Sequence, residues 1–433
     1  MALQGLFVIL VVLLVLLFLG VPICYSIGIS SLAAILSVID LDVAVLTAAQ
    51  RTFVGMSKFS LTAIPFFILA GNIMNQGGIA KRLVNFVLAI LGKMPGALLV
   101  TNVGTNALFG AISGSASAAA AAVGSMIRDG AEEQGYDPAI TAATNAASAP
   151  SGLLIPPSNA LITYSLASGG TSVAALFMAG YIPGIIWALC CAVVAVILAK
   201  KKGYLGTPGK FSWSNLLKAT ITAIPALSLI VVVIGGIVAG IFSATEGSAI
   251  AVVYALILAL CYRSIDLKGL WKIIVDSAKM SGMVVFLIGV SNILGWVMAF
   301  MQIPDAVAAV LLGLTENKYI ILLIMNVILL VAGTFMDVTP AILIFTPLFL
   351  PICKDFGMDP IQFGLILVYN LCIGNITPPV GNTLFVGIKI GRTTLAKVMP
   401  YMLMYYVAII IGLLLVTYIP AVTMVLPQVT GLA

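Results

Sequence analysis

Histidine is absent from the 433-residue sequence, and only 8% of its residues are charged. Without imidazole there is no His-based metal site, no Ser–His–Asp or Cys–His nucleophile and no imidazole proton relay. Rhomboid-type and HExxH-type intramembrane proteases are excluded with them. A soluble domain carries about 25% charged residues. Here 62% of the chain is hydrophobic, more than a water-facing fold can bury. No CxxC pair occurs among Cys24, Cys190, Cys191, Cys261, Cys353 and Cys372, which read as small buried hydrophobes. The net charge of +6 is scattered over short loops, so no nucleic-acid partner is expected. No GxxxxGK[ST] phosphate loop is present.

What the sequence does hold is apolar blocks of about 18–25 residues, long enough to cross a hydrocarbon core of about 30 Å. Ten-residue segments of alternating polarity are missing, so the chain is an all-α polytopic membrane protein and not a β-barrel. Ten crossings are expected in 4–20, 22–38, 60–75, 138–168, 173–199, 219–241, 246–262, 280–300, 360–388 and 398–420. Leu3–Gly20 lacks a basic n-region and reads as a retained first span, not a cleaved signal. The stretches 97–130 and 319–352 break at small or polar residues near their middles. They read as helical hairpins that enter partway and return.

Basic residues orient the chain. Lys81, Arg82, Lys93, Arg128, Lys200, Lys201, Lys202, Lys210, Lys218, Arg263, Lys268, Lys272, Lys279, Lys389, Arg392 and Lys397 fall on one side. Only Arg51, Lys58, Lys318 and Lys354 fall on the other. The first set is therefore cytoplasmic and both termini lie outside. Arg51 and Lys58 read as solvated loop residues. The amphipathic stretches 79–95 and 304–316 read as interfacial arms.

The punctuation repeats. Asp137-Pro138, Pro156-Pro157 and Thr171 recur 222 residues later as Asp359-Pro360, Pro378-Pro379 and Thr393. Residues 1–215 and 216–433 thus form two repeats. Each holds five crossings and one hairpin, and an odd number of crossings turns the second repeat upside down. Asp-Pro suits an N-cap and first helical position, so helices should start at Asp137 and Asp359, on opposite faces. Both then meet breakers, at 148–152 and 373–379, whose freed carbonyls must avoid lipid.

The hairpin tips, Ile112–Ser117 and Gly333–Pro340, should meet these breaks. Oxygen-rich tips and unwound backbone suit a hard cation such as Na⁺. Half-helix N-termini suit an anion. The candidate cation ligands are Ser113, Gly114, Ser115, Ser148, Pro150 and Gly152 in the first repeat. In the second they are Gly333, Thr334, Asp337, Gly374, Asn375 and Thr377. Ser117, Asn145, Ser151, Asn159, Thr339, Pro340, Asn382 and Thr383 are candidate anion contacts. The bland alternative for the serines is close helix packing. For the asparagines it is satisfaction of freed backbone, and for Asp337 it is capping of the return helix. An acid at membrane depth is functional by default. Glu246 instead fits a capping box with Ser243.

Several segments together resemble the large membrane subunit of tripartite ATP-independent periplasmic (TRAP) transporters, within the ion transporter superfamily. They are Ala63–Asn72, Gly114–Ser117, Ala149–Ser158, Ala244–Glu246, Gly333–Asp337 and Asn375–Gly381, and the likeness runs from about Leu6 to Pro420. The resemblance implies a non-enzymatic, Na⁺-coupled secondary transporter of the bacterial inner membrane, moving two or more Na⁺ with each organic anion. Its termini would be periplasmic and its hairpins and broken helices would move as an elevator. A periplasmic binding protein would deliver the anion, and a separate small four-helix membrane subunit would complete the assembly. Sialic acid is favoured over C4-dicarboxylates by overall look. An intramembrane aspartyl protease or a passive anion channel are the rival readings.

Overall fold

The computed structural model describes residues 2–204, 212–315 and 317–433. Lys210 of the basic loop and Glu316 at the end of the second arm lie outside the described residues. Every regular element described is helical. The chain opens with α1 (Ala2–Phe18) and α2 (Ile23–Leu36), packed on each other. Helices α3 (Leu41–Met56) and α4 (Ala63–Gln76) follow, joined by a 3₁₀ turn at Phe59–Thr62 with a bend of 59°. Next come α5 (Ile79–Leu91), α6 (Ala97–Ser113) and α7 (Ala116–Glu133). A helix in three pieces follows: α8 (Pro138–Ser148), α9 (Ser151–Leu154) and α10 (Asn159–Ala167). The 30-residue α11 (Val173–Lys202) closes the first half.

The second half runs α12 (Trp213–Val238), α13 (Ala244–Cys261), α14 (Leu267–Phe300) and α15 (Ile303–Leu314). It continues with α16 (Lys318–Gly333), α17 (Val338–Asp355), α18 (Pro360–Gly374) and α19 (Asn382–Ile390). It ends with α20 (Leu395–Tyr418) and α21 (Ala421–Val429). The pairs α7/α17, α8/α18 and α11/α20 each begin 222 residues apart. Both Pro-Pro peptides are cis.

The caps follow from local chemistry. Asp137 and Asp359 accept from the backbone N–H two residues on, at 2.8 and 2.7 Å, with proline at the first helical position of each helix. Ser243 and Glu246 form a reciprocal capping box at the start of α13.

Residues of α8 and α18 are almost all buried. By contrast α1, α3, α12 and α13 expose leucines, valines and phenylalanines such as Phe7, Phe53, Val231 and Val253. Apolar residues outside and polar residues such as Asn106, Asn145 and Asn370 inside is the distribution lipid requires.

Three expectations change. Residues 41–56 form α3, not a loop. Its apolar face packs on α14, and Arg51 sits on it with the guanidinium 5.5 Å from the Trp296 ring centroid. Lys268, Lys272 and Lys279 lie on α14, not in a loop. That helix has 34 residues and so runs about 51 Å, beyond the hydrocarbon core. The 215/216 division falls inside the first turn of α12. Six described helices (α11, α12, α13, α14, α17 and α20) are long and apolar enough to cross a membrane, or seven if the bent α3–α4 pair is one span. The other expected crossings are built from shorter helices.

Candidate functional site

Two helix–turn–helix tips and two helix breaks surround one cavity of about 390 Å³. At the first tip Gly114 ends α6 with φ +62°, a conformation that glycine adopts at no steric cost. Ser115 then caps α7, accepting from Ala118 N at 3.3 Å, and its Oγ lies 3.2 Å from Ser117 Oγ. Asn159, the first residue of α10, points its amide nitrogen at Gly114 O, at 3.5 Å. Its Oδ1 is buried without a partner.

At the second tip Asp337 occupies the N-cap of α17 but makes no cap hydrogen bond through its side chain. The carboxylate lines the cavity, and the Asn382 amide at the start of α19 faces it. Thr339 and Pro340 of α17 line the same space, with Asn375 from the second break. Val380 N donates to Thr334 O at 3.2 Å, which ties the tip to the break.

Four helix N-termini, those of α7, α10, α17 and α19, thus reach one cavity. Each carries roughly half a positive charge. Among the described residues that line it, Asp337 is the one acid, and no lysine or arginine is present. An anion would meet dipole ends and amides here, and a cation would meet Asp337, hydroxyls and carbonyls.

Of the residues predicted from sequence, Ser113, Gly114, Ser115, Ser117, Asn159, Asp337, Thr339, Pro340, Asn375 and Asn382 line the cavity. The rest do not line it. Asn145 and Ser148 both contact Asn106 Nδ2 of α6, at 3.1 and 2.9 Å, and Asn145 donates to Ala120 O. Ser151 Oγ donates to Ser148 O, and Pro150 precedes α9. In the second half Thr334 Oγ1 and Thr377 Oγ1 donate to carbonyls in their own turns. Thr383 N reaches Asn375 O at 3.2 Å.

The glycines act by contact. A Cβ on Gly152 would sit 2.2 Å from Gly110 Cα, and one on Gly374 would sit 2.4 Å from Gly333 C. Each pair lets a tip helix touch a broken helix backbone to backbone. Asparagines join the same elements, through Asn106 to Asn145 and through Asn370 to Asn326 at 2.9 Å.

Three features went unpredicted. Trp187 Nε1 donates to Ala147 O at 2.9 Å and Tyr406 OH to Ile376 O at 2.6 Å, so aromatic donors occupy carbonyls of the breaks. Asn72 lines the cavity, though it closes a segment already singled out by its resemblance. The facing wall is apolar, built by α4 and α14 with the start of α2. Outside the Ala63–Asn72 segment no local sequence signal marks that wall, since its α2 and α14 residues are ordinary span residues.

Comparison with known proteins agrees with this architecture. Residues 10–422 match the family described as "Tripartite ATP-independent periplasmic transporter, DctM component". The chain is 50% identical over 408 residues to an uncharacterized protein, YgiK, of Salmonella typhimurium, covering 94% of each. It is 35% identical to the C4-dicarboxylate TRAP transporter large permease protein DctM of Rhodobacter capsulatus, covering 95% of this chain and 96% of that one. It is 33% identical to the sialic acid TRAP transporter large permease protein SiaM of Vibrio cholerae, again covering 95% and 96%. Among solved structures, the YdaH transporter of Alcanivorax borkumensis shares the fold at a TM-score of 0.60 and 14% identity, over 88% of this chain and 89% of that one. A cavity between paired tips and breaks, on a multi-pass helical frame matched over residues 10–422, places this chain in the DctM family as the large membrane subunit of a bacterial TRAP transporter.

Proposed function

We propose that this subunit couples the entry of two or more Na⁺ to uptake of an organic anion across the bacterial inner membrane. The observation that carries the reading is the convergence of four helix N-termini, Asp337 and the unpartnered Asn159 Oδ1 on one cavity. Na⁺ binds at the two tips where they meet the breaks, with Ser113–Ser115 on one side and Asp337 with Asn375 on the other. The anion lies between Ser117 and Thr339, held by dipole ends, hydroxyls and the amides of Asn159 and Asn382. A periplasmic binding protein delivers it, and a separate small membrane subunit braces the outer helices. Sialic acid and C4-dicarboxylates, the cargoes named for two relatives, are the reference anions.

The two halves are inverted repeats, with hairpin 97–130 open to the cytoplasm, hairpin 319–352 open to the periplasm and both termini periplasmic. Tips and broken helices move together as an elevator, braced by the arms, against α2–α4 and α12–α14. The Asn106–Asn145 and Asn326–Asn370 contacts and the two glycine pairs join each tip helix to its own break, and Tyr164 OH, donating to Pro360 O, links the two broken helices, which supports one moving body.

A protease would need a second facing carboxylate beside Asp337. The test is uptake by proteoliposomes holding both membrane subunits, with the binding protein outside. Accumulation that vanishes when the Na⁺ gradient is removed is expected. Accumulation indifferent to Na⁺ would overturn the coupling. Equilibration without accumulation would mark a channel.

A further inference from the structure

The cavity wall contributed by α2, α4 and α14 is apolar except at one place. Ile64 and Ile68 of α4 and Met280, Met283 and Leu287 of α14 line it, with Asn72 among them. Asn72 is the one amide that this wall brings to the cavity among the described residues that line it. Its Nδ2 donates to Ser277 Oγ of α14 at 2.8 Å, and Ser277 is buried. That bond ties α4 to α14 and fixes the plane of the amide. It uses one of the two N–H groups, so the other N–H and Oδ1 are left to the cavity.

The preceding residue shows how near the first tip stands. A Cβ on Gly71 would lie 2.7 Å from the Ser113 carbonyl oxygen, so α4 and the tip meet there backbone to backbone. Consecutive Cα atoms are about 3.8 Å apart, which places the Asn72 Cα no more than about 8 Å from that oxygen. Ser115 and Ser117 of the same tip line the cavity, and Asn159 packs on Gly114. An anionic group held at the N-termini of α7 and α10 leaves the far end of a short ligand within reach of Asn72. An amide there suits a hydroxyl, which donates to Oδ1 or accepts from N–H, and a carboxylate, which accepts from N–H. A methyl group gains nothing from it. Met283 is 65% exposed and Met280 45%, so the cavity opens to solvent on this side. The contact replaces a bond to water and changes affinity by a few-fold, not by orders of magnitude.

Resting on the Na⁺-coupled anion reading above, we infer that Asn72, oriented by Ser277, is a specificity residue for the cargo. It takes a hydroxyl or carboxylate at the end of the organic anion remote from the helix N-termini. The cargo is thus an anion with a second polar group a few carbons from the first. Since the amide is held in one plane on the wall opposite the breaks, it reads the length of the ligand as well as its polarity.

The experiment uses the purified complex of both membrane subunits and follows ligand binding as thermal stabilisation with and without Na⁺. The probes share a four-carbon chain and differ at one end: succinate, 4-hydroxybutyrate and butyrate. Succinate and 4-hydroxybutyrate should stabilise at concentrations about threefold or more below that of butyrate. Asn72→Ala should abolish this advantage and leave the response to butyrate within about twofold of the parent's. Asn72→Asp keeps the shape and still accepts from the Ser277 hydroxyl, so it preserves the fold if alanine does not. It should cost succinate about threefold more than 4-hydroxybutyrate, because like charges then meet. Ser277→Ala should reproduce part of the Asn72→Ala loss and add nothing to it in the double variant. Equal losses for all three probes in Asn72→Ala would make the residue structural and overturn the inference. So would a parent that binds butyrate as well as the other two, or an Asn72→Asp protein with the parent's ranking, and each of these leaves the transport reading standing. No Na⁺-dependent response to any probe would overturn both.

Discussion

Gly374→Ala adds a single methyl group at the most confined backbone contact of the second half. The new Cβ would lie 2.4 Å from Gly333 C, 2.5 Å from its Cα and 2.6 Å from its O. All three are backbone atoms, so no side chain can swing aside. Two helices must separate by roughly an ångström to restore van der Waals contact near 3.5 Å. Overpacking of this kind costs about 1–3 kcal/mol in a well-packed core. Here the displaced pair is the end of α16 and the end of α18, which flank Asp337 and Asn375. Transport should therefore fall further than stability. The control is Gly282→Ala on α14, where the added Cβ meets nothing within 4 Å. Alanine is the better helix former by about 1 kcal/mol, so that variant should melt at or above the parent temperature. The assay pairs thermal melting in detergent with Na⁺-driven uptake. Gly374→Ala should melt lower and lose most uptake, and Gly152→Ala should do the same through Gly110. Parent-like melting and uptake in Gly374→Ala would refute the claim that a tip and its break meet backbone to backbone.

Asp337→Asn keeps the shape of the side chain and removes its charge. Uptake should be abolished while insertion and assembly with the small subunit persist, and normal uptake would reduce Asp337 to a structural residue. Ser115→Ala and Thr377→Ala should raise the Na⁺ concentration needed for half-maximal uptake, with Ser115→Ala also losing a helix cap worth about 1 kcal/mol. A hyperbolic Na⁺ response unchanged in both would contradict two cation sites. Trp187→Phe retains a ring beside Tyr369 but leaves the Ala147 carbonyl only the weak Cys191 thiol donor at 3.5 Å, costing about 1–3 kcal/mol. Its melting temperature should drop, and a parent-like melt would show that the carbonyl finds another donor.

Much of the frame was legible because its signals are local. Asp137-Pro138 and Asp359-Pro360 mark helix starts through capping chemistry that needs no tertiary context. Ser243 and Glu246 do the same. The Pro-Pro pairs mark breaks for an equally local reason, the missing donors. The tips at Gly114-Ser115 and Met336-Asp337 could be read because small and polar residues interrupt apolar blocks. Helix α3 was hidden, since Asp42, Gln50 and Arg51 dilute its apolar face and that face is explained only by α14 packing on it. The first turns of α14 were hidden for the opposite reason. Lys268, Lys272, Asp276 and Lys279 look like a loop until the helix is seen to run about 51 Å, longer than a hydrocarbon core is thick. Which polar residues are spent on Asn106 depends on contacts more than 35 residues apart in sequence, whereas Thr334 and Thr377 are spent on carbonyls within four residues.

The two aromatic donors behind the breaks carry one more consequence. A broken helix inside a bilayer ordinarily recruits water to its loose carbonyls, and a file of water conducts protons. Trp187 and Tyr406 fill that role with covalently tethered groups that cannot diffuse or hop. At Ala147 O and Ile376 O the protein itself supplies the donor that water would otherwise provide.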